Sequence, residues 1–182
     1  MIQELIVTTQ NSAGQVHLAP MGIHLHGEEI HILPFRPSTT LSNLLETRRA
    51  VLNYCDDVRI FAGCLTGRRN WKTHDLVLES ALAYSEVALV HIEDDALRPR
   101  LICNIQRTVN QSPCRGFNRA QYAVLEASIL VSRLSMLPLE KIDSEIAYLR
   151  IGLEKTAGER ELEAWGWLMS EIDVFRQEKT HE

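Results

Sequence analysis

The sequence contains few of the residues that mark disulfide-bonded, membrane-embedded or nucleic-acid-binding proteins. Its 182 residues include four cysteines, none of them in a CxxC pair, and no apolar run approaches the length that crosses a bilayer. Lysine and arginine number 19 against 24 aspartates and glutamates, and no basic run resembles a footprint on a phosphate backbone. A disulfide framework, a membrane-embedded chain and a nucleic-acid-binding role are therefore all disfavoured.

The cysteines and the N-terminal residues indicate the cellular compartment of the protein. Cys55, Cys64, Cys103 and Cys114 lie in apolar or mixed segments, as is typical of reduced thiols inside cells. Met1 is followed by a strand pattern and not by the basic and apolar regions of a signal peptide. We therefore expect a cytoplasmic protein. Hydrophobic residues make up 45% of the chain, which suffices for one core with or without a small appended domain.

The N-terminal part of the chain shows the alternation of apolar and polar residues that is typical of strands. Turn residues at 11–14 and 27–29 separate the first three strands, and Pro34 and Pro37 end the third because proline donates no ladder hydrogen bond. The predicted strands cover residues 4–9, 16–25, 30–33, 50–54, 86–92 and 101–109.

A helix is predicted directly after the third strand. Ser38 or Thr39 supplies its N-cap, and the helical pattern continues to about Arg49. Its apolar face is formed by three leucines, Leu41, Leu44 and Leu45. A second, weaker helix is expected over residues 57–65.

From Asn118 onward the pattern changes to that of helices. Asn118 caps a helix to about Met136, Pro138 starts a second helix, and Gly158 precedes a third. The predicted apolar faces are Ile142, Ile146, Leu149 and Leu153 on the second helix, and Leu162, Trp165, Met169 and Ile172 on the third. The sequence thus predicts an α+β chain, with a strand-rich domain over 1–112 and a helical domain over 113–182.

The start of the first helix has the residues of an anion site. A phosphate placed against Ser38 and Thr40 would meet free backbone N–H groups and the positive end of the helix dipole. Arg36 adds a cation, and Asn43 follows Thr40 by three residues on the polar side of the helix. The alternative is that Ser38 and Thr39 only cap the helix and that Arg36 is solvated.

Four short segments, in their order along the chain, carry a resemblance to a known family. They are Thr8-Thr9, Ala19-Pro20-Met21-Gly22, Thr40-Leu41-Ser42-Asn43 and Val51-Leu52-Asn53. This order resembles the FMN-binding split barrel of flavin reductases and pyridoxamine-phosphate-oxidase-like proteins. Within that group the chain is similar to the DUF447 family, whose C-terminal helical extension resembles residues 117–133.

The resemblance implies a split β-barrel with a C-terminal helical subdomain, and a homodimer with FMN at the subunit interface. It implies that the FMN phosphate contacts Arg36, Ser38, Thr40 and Asn43, that the ring lies along Ala19, Pro20, Met21 and Gly22, and that Asn53 bonds the ring or the ribityl chain. No residue is an obvious proton donor beside the flavin, so redox chemistry would belong to the cofactor and the catalytic residues stay unassigned.

The function that the resemblance implies is a flavin-dependent oxidoreductase, with a link to tetrahydromethanopterin-dependent one-carbon metabolism. One alternative is a non-catalytic carrier of a flavin or deazaflavin, since both cofactors present a phosphate and a flat ring. Another is a structural dimer with an empty barrel, which would bind no cofactor.

Three histidines flank one predicted turn. They are His24, His26 and His31, which could coordinate a metal ion together with Glu28 or Glu29. Four clear ligands are not present, however, and solvent-facing histidines on a half-buried hairpin are the commoner arrangement. We therefore predict no metal site.

A polar stripe follows the first C-terminal helix. It consists of Arg119, Tyr122, Glu126 and Arg133, and such a stripe usually forms ion pairs within the helix or a contact between subunits. The functional alternative is that Arg119, together with His24, binds the acid group of a substrate beside the flavin.

Overall fold

The computed structural model describes residues 1–27, 29–68 and 70–180, which form two compact units. The first, here called the barrel unit, consists of Met1–Cys55 and Asn70–Cys114, and the second, the helical unit, of Asp56–Arg69 and Arg115–Glu182. Residues 56–69, which the sequence assigns to the strand-rich domain, thus group with the C-terminal helices. No helix within the described residues is long and apolar enough to cross a bilayer.

Six antiparallel strands of the described chain close a barrel in the order β1-β2-β3-β8-β7-β4. Their bounds are β1 Ile2–Gln10, β2 Val16–His26, β3 Glu29–Ile32, β4 Arg49–Tyr54, β7 Ala83–Glu93 and β8 Arg100–Asn110. Two further strands, β5 Thr73–His74 and β6 Val77–Leu78, form a separate hairpin that the sequence did not predict. The barrel strands all correspond to predicted ones, and the α+β class is confirmed.

From Leu5 to Thr9, strand β1 is buried on both of its faces. Leu5 and Val7 belong to the barrel core, whereas Ile6 and Thr8 point to the opposite face and are also fully buried. The Thr8 hydroxyl donates to the carbonyl of Leu76, so the β5–β6 hairpin covers that opposite face. The two faces of β1 are therefore enclosed by different parts of the barrel unit.

Helix α1, Thr39–Thr47, packs its apolar face into the barrel core. Leu41 and Leu44 are buried there, but Leu45 is 45% exposed, so its predicted place on the apolar face was wrong. Consecutive residues on a helix point about 100° apart, which turns Leu45 away from the face that Leu44 shares. Arg48 then adopts a left-handed conformation at φ 54°, and the helix ends before the predicted Arg49 because that residue starts β4.

The helical unit packs four helices around one apolar core in the described residues. They are α2 Arg59–Leu65, α3 Arg119–Val131, α4 Leu139–Thr156 and α5 Glu159–Thr180, with a 3₁₀ turn at Leu134–Met136. The predicted apolar face of α4 is buried throughout. On α5, Leu162 is 54% exposed and was wrongly placed, because the buried stripe runs through Trp165, Leu168 and Ile172.

Candidate functional site

The N-terminus of α1 brings together the polar residues that the sequence predicted for a phosphate. Ser38 is the N-cap, and its Oγ accepts a hydrogen bond from the amide of Leu41 at 3.3 Å. Thr40 and Asn43 are buried at 3% and 4% exposure, and Asn43 Nδ2 donates to Thr9 Oγ1 at 3.1 Å. The polar side of α1 therefore contacts β1 within the barrel unit, and Thr9 joins the predicted cluster.

Arg36 lies just before this helix and has a carboxylate partner. Its Nη2 donates to Asp94 Oδ1 at 2.8 Å, and its amide donates to the carbonyl of Leu97 at 2.8 Å. Arg98 in turn donates to the carbonyl of Leu33 at 3.1 Å and lies 4.5 Å from the centre of the Phe35 ring. Arg36 thus pairs with Asp94 of the β7–β8 turn while its side chain stays 45% exposed, so both the phosphate role and the alternative of a helix cap beside a solvated arginine stay predictions.

The same turn is stabilised by Asp95. Its Oδ1 accepts hydrogen bonds from the amides of Arg98 at 2.6 Å and of Leu97 at 2.8 Å. These bonds, first that from Arg98, lower the pKa of the Asp95 carboxyl below its ordinary value because they stabilise the carboxylate. The Asp95 carboxylate therefore helps to fix the turn that carries Asp94, the partner of Arg36.

Residues 19–22 occupy the middle of β2 and pair with β1 along one edge only. Ala19 lies opposite Val7 and Gly22 opposite Glu4, whereas β3 pairs with β2 only from His24 onward. The other edge of 19–22 therefore has no strand neighbour in the described sheet, and its half-buried main chain is open to hydrogen bonding.

Gly22 has a structural reason to lack a side chain. A Cβ built there would lie 2.9 Å from Glu4 Oε1 and 3.0 Å from Ile2 Cγ2. Gly22 therefore leaves room for the side chains of Glu4 and Ile2 on the neighbouring strand.

Asn53 is fully buried on β4, and its carboxamide holds three segments together. Its Nδ2 donates to Thr8 Oγ1 at 3.1 Å and to the carbonyl of Ile6 at 3.3 Å. Its Oδ1 accepts from the amide of Leu78 at 2.8 Å. The side chain proposed to contact the ring or the ribityl chain thus already ties β1 and β4 to the β5–β6 hairpin.

The predicted histidine cluster exists on β2 and β3. The rings of His26 and His31 stack at 4.3 Å between centroids, His24 stacks on His26 at 6.4 Å, and His31 Nε2 lies 3.1 Å from Glu29 Oε2. The stacked rings are nearly parallel, and in the described residues no group of three or more His, Cys, Asp or Glu side chains has a geometry that could hold a metal ion. Glu28, the other candidate ligand, lies outside the described residues.

His24 should make the fold less stable as the pH falls. Burial, and then the charges of His26 and Arg98, lower the pKa of His24 below its ordinary 6.5, so the unfolded chain binds the proton more tightly than the folded one. The stability is therefore complete above pH 6.5 and is lost as the pH falls through the folded pKa.

The melting temperature measured from about pH 5 to pH 8 tests this relation. We expect it to fall toward the acid end in the unaltered protein and to fall less steeply in His24→Gln. His91→Gln, which changes an exposed histidine on β7, is the matched control. An equal or steeper acid slope in His24→Gln than in the control would contradict the expectation.

Arg119 lies in the helical unit, at the first position of α3, whereas His24 lies in the barrel unit. The predicted stripe does not form the expected ion pairs: within the described chain, Arg119, Glu126 and Arg133 make no salt bridge. The pKa of the Tyr122 phenol is raised, chiefly by the charge of Glu126. Arg119 is therefore exposed and available to another group.

Two models of one family match this chain. The N-terminal domain model, described as "Protein of unknown function (DUF447) N-terminal domain", covers residues 3–111, and the model "Protein of unknown function (DUF447)" covers residues 118–170. The chain belongs to the DUF447 family. A search of curated proteins found no match.

Solved structures place this DUF447 chain among split-barrel proteins. An FMN-bound DUF447 protein from Methanosarcina mazei superposes with a TM-score of 0.78 at 20% identity, over 93% of this chain and 94% of that one. The 2-nitrobenzoate 2-nitroreductase of Pseudomonas fluorescens gives 0.51 at 20% identity, over 59% and 64% of the two chains. A split-barrel protein from Shewanella frigidimarina gives 0.50 at 14% identity, over 60% and 67%. The fold is therefore a split barrel with a C-terminal helical extension, as the resemblance implied.

Proposed function

We propose that this DUF447 protein binds FMN in its barrel unit, as a homodimer, and acts as a flavin-dependent oxidoreductase in the cytoplasm. The observation that carries the proposal is the polar cluster at the start of α1, in a chain whose fold matches an FMN-bound relative over nearly its whole length. Membership of the DUF447 family extends the proposal to tetrahydromethanopterin-linked one-carbon metabolism.

The residues at the start of α1 fit the phosphate of FMN. The first-turn amides of Thr39 and Thr40 have no backbone acceptor among the described residues, because the first amides of a helix lack partners within it. Ser38 and Thr40 add hydroxyl groups, and Arg36 adds a guanidinium that can bond phosphate oxygens in a bidentate manner. The donors and the charge match a phosphate dianion, and the adjoining Asn43 can meet a ribityl hydroxyl.

The isoalloxazine ring is assigned to the free edge of β2. A flat ring with carbonyl and N–H groups along its rim can bond the open main chain of residues 19–22, and Pro20 withholds one donor there. Met21 packs against the barrel core and so helps to fix the strand that would carry the ring. FMN supplies hydride and single-electron transfer when it is bound, and this chain's residues position it and shield it from water.

His24 remains the proposed contact of the substrate in the barrel unit, whereas Arg119 belongs to the helical unit. His24 follows Gly22 by two residues on β2, so its half-buried ring faces the same side of the sheet as that residue. Its lowered pKa keeps it neutral near physiological pH, so it can donate or accept a hydrogen bond without adding a charge.

A non-catalytic flavin carrier is the second candidate. Among the described residues assigned to FMN, Arg36 is the one with an ionisable side chain, and arginine stays protonated. The lack of a proton donor or acceptor for catalysis among them favours a carrier. A carrier would take up and release electrons through the flavin without a site for a second substrate.

Turnover distinguishes the two functions. We expect FMN-loaded protein to oxidise NADH or NADPH with many turnovers per flavin when a quinone or pterin acceptor is present, and light scattering to give the mass of a dimer. His24→Gln should lower kcat/KM for the acceptor, whereas His91→Gln should not. A single stoichiometric reduction of the flavin without turnover would favour the carrier.

A further inference from the structure

The helical unit contains an open cavity of about 340 Å³ between the start of α3 and the second half of α4. Its volume lies in the range of about 300–1,000 Å³ that small-molecule sites occupy. The walls are mainly aromatic and aliphatic: Phe117, Tyr122, Tyr148 and Ile151. All four are large and at least 47% exposed, so this apolar surface faces solvent in the structure.

Small residues at the floor explain why the cavity exists. A Cβ built on Gly152 would lie 3.4 Å from the carbonyl oxygen of Arg119 and 3.5 Å from its Cβ. Gly152 therefore lets α4 approach the first turn of α3 closely, while Ala123 adds little volume beside it. Large rings at the rim above small residues at the floor produce a slot.

One charged residue, Arg119, lines this cavity among the described residues. Its guanidinium makes no ion pair there, whereas Arg59 and Arg176 in the same unit are paired with carboxylates. The adjoining helix end does not compete for an anion, because Asn118 Oδ1 already accepts from the amides of Ala120 and Gln121. The charge available to a ligand is thus that of Arg119.

A neighbouring cavity limits the ligand. It measures about 210 Å³ and shares Tyr122 and Tyr148 with the first, but it carries both acidic and basic residues. Its acidic residues are Glu126 and Glu145, and its basic residues are Arg133 and Lys141. A second anionic group would lie among balanced charges there, whereas no carboxylate of the described residues lines the first cavity beside Arg119, so a single acid group at the Arg119 end suits the site.

We propose that this cavity binds a planar aromatic monocarboxylate, whose carboxylate pairs with Arg119 while its ring lies between Tyr122 and Tyr148. A guanidinium matches a carboxylate in a bidentate manner, and aromatic rings stack on one another at an exposed slot. The site does not depend on FMN.

The test uses 2-naphthoate as the probe and its neutral analogue 2-naphthamide as the chemical control. Both are titrated calorimetrically into full-length protein, with and without saturating FMN. We expect naphthoate to bind at least about tenfold more tightly than naphthamide, since a charge-assisted hydrogen bond is worth that ratio. FMN should leave both affinities unchanged.

Arg119→Gln should reduce naphthoate affinity about tenfold, to the level of naphthamide, because the guanidinium charge and its paired N–H donors are lost. The matched control is Arg150→Gln, an exposed arginine on α4 that does not line the cavity, and it should bind as the unaltered protein does. Tyr148→Ala should weaken both probes by removing one wall.

Three results would overturn the proposal. The first is equal affinity for the acid and the amide, and the second is an Arg119→Gln variant that binds naphthoate normally. The third is no naphthoate binding together with a dimer that Tyr148→Glu separates, since the slot would then be covered by a second copy of the chain. Because the flavin-free protein is titrated as well, failure of FMN binding would not be mistaken for any of these.

Discussion

Replacing Asn53 with alanine is expected to lower the free energy of unfolding of the barrel unit by about 3 kcal/mol. The amide of Leu78 would lose its acceptor and Thr8 Oγ1 would lose a donor, both at positions with no solvent exposure. A buried polar group left without a partner costs about 1–3 kcal/mol, and the missing carboxamide leaves a small cavity as well.

Hydrogen exchange in urea is the suitable measurement for Asn53→Ala, because it reports on the amides of the two compact units individually. Amides of β1, β4 and the β5–β6 hairpin should exchange faster, while those of α3 to α5 keep their protection. Asn104→Ala, an exposed asparagine on β8, is the matched control and should change stability little. A loss below about 1 kcal/mol in Asn53→Ala would contradict the network described for this residue.

Replacing Arg36 with methionine is expected to weaken FMN binding by about tenfold to a hundredfold. Methionine keeps much of the apolar stem but removes the guanidinium that is assigned to the phosphate. Riboflavin lacks that phosphate, so its affinity should be the same in Arg36→Met and in the unaltered protein. Fluorescence titration with the two flavins therefore separates the loss of a phosphate contact from general damage.

The barrel unit provides a matched control for Arg36→Met. Arg100 pairs with Glu93 at 2.7 Å, and its side chain is 47% exposed. The corresponding values for Arg36 are a 2.8 Å distance to Asp94 and a side chain that is 45% exposed. Arg100→Met removes a comparable surface ion pair and should leave FMN affinity unchanged. Equal weakening of FMN and riboflavin by Arg36→Met would show that this residue only supports the fold.

Features that depend on neighbouring residues could be predicted from the sequence. The cap of α1 is one, because Ser38 bonds the amide of Leu41 only three residues away. The barrel strands are another, since alternation along each strand reports which side is buried. Family resemblance added the closure of these strands into a split barrel, which alternation alone does not specify.

Features that depend on distant residues could not be predicted. Asn53 bonds Thr8, 45 residues away, and Arg36 bonds Asp94, 58 residues away, and no local pattern identifies such partners. The β5 and β6 strands have two residues each, too few to show alternation. Helix α2 was predicted, but its apolar residues Val58 and Ala62 do not reveal which core they join.

The most direct measurement is the visible absorption spectrum of freshly purified, untagged protein, followed by mass analysis of the small molecule that heat releases. We expect a flavin spectrum and the release of FMN in proportion to the protein. A colourless protein that also fails to bind added FMN or deazaflavin would contradict this expectation, because the start of α1 would then be a helix cap and nothing more.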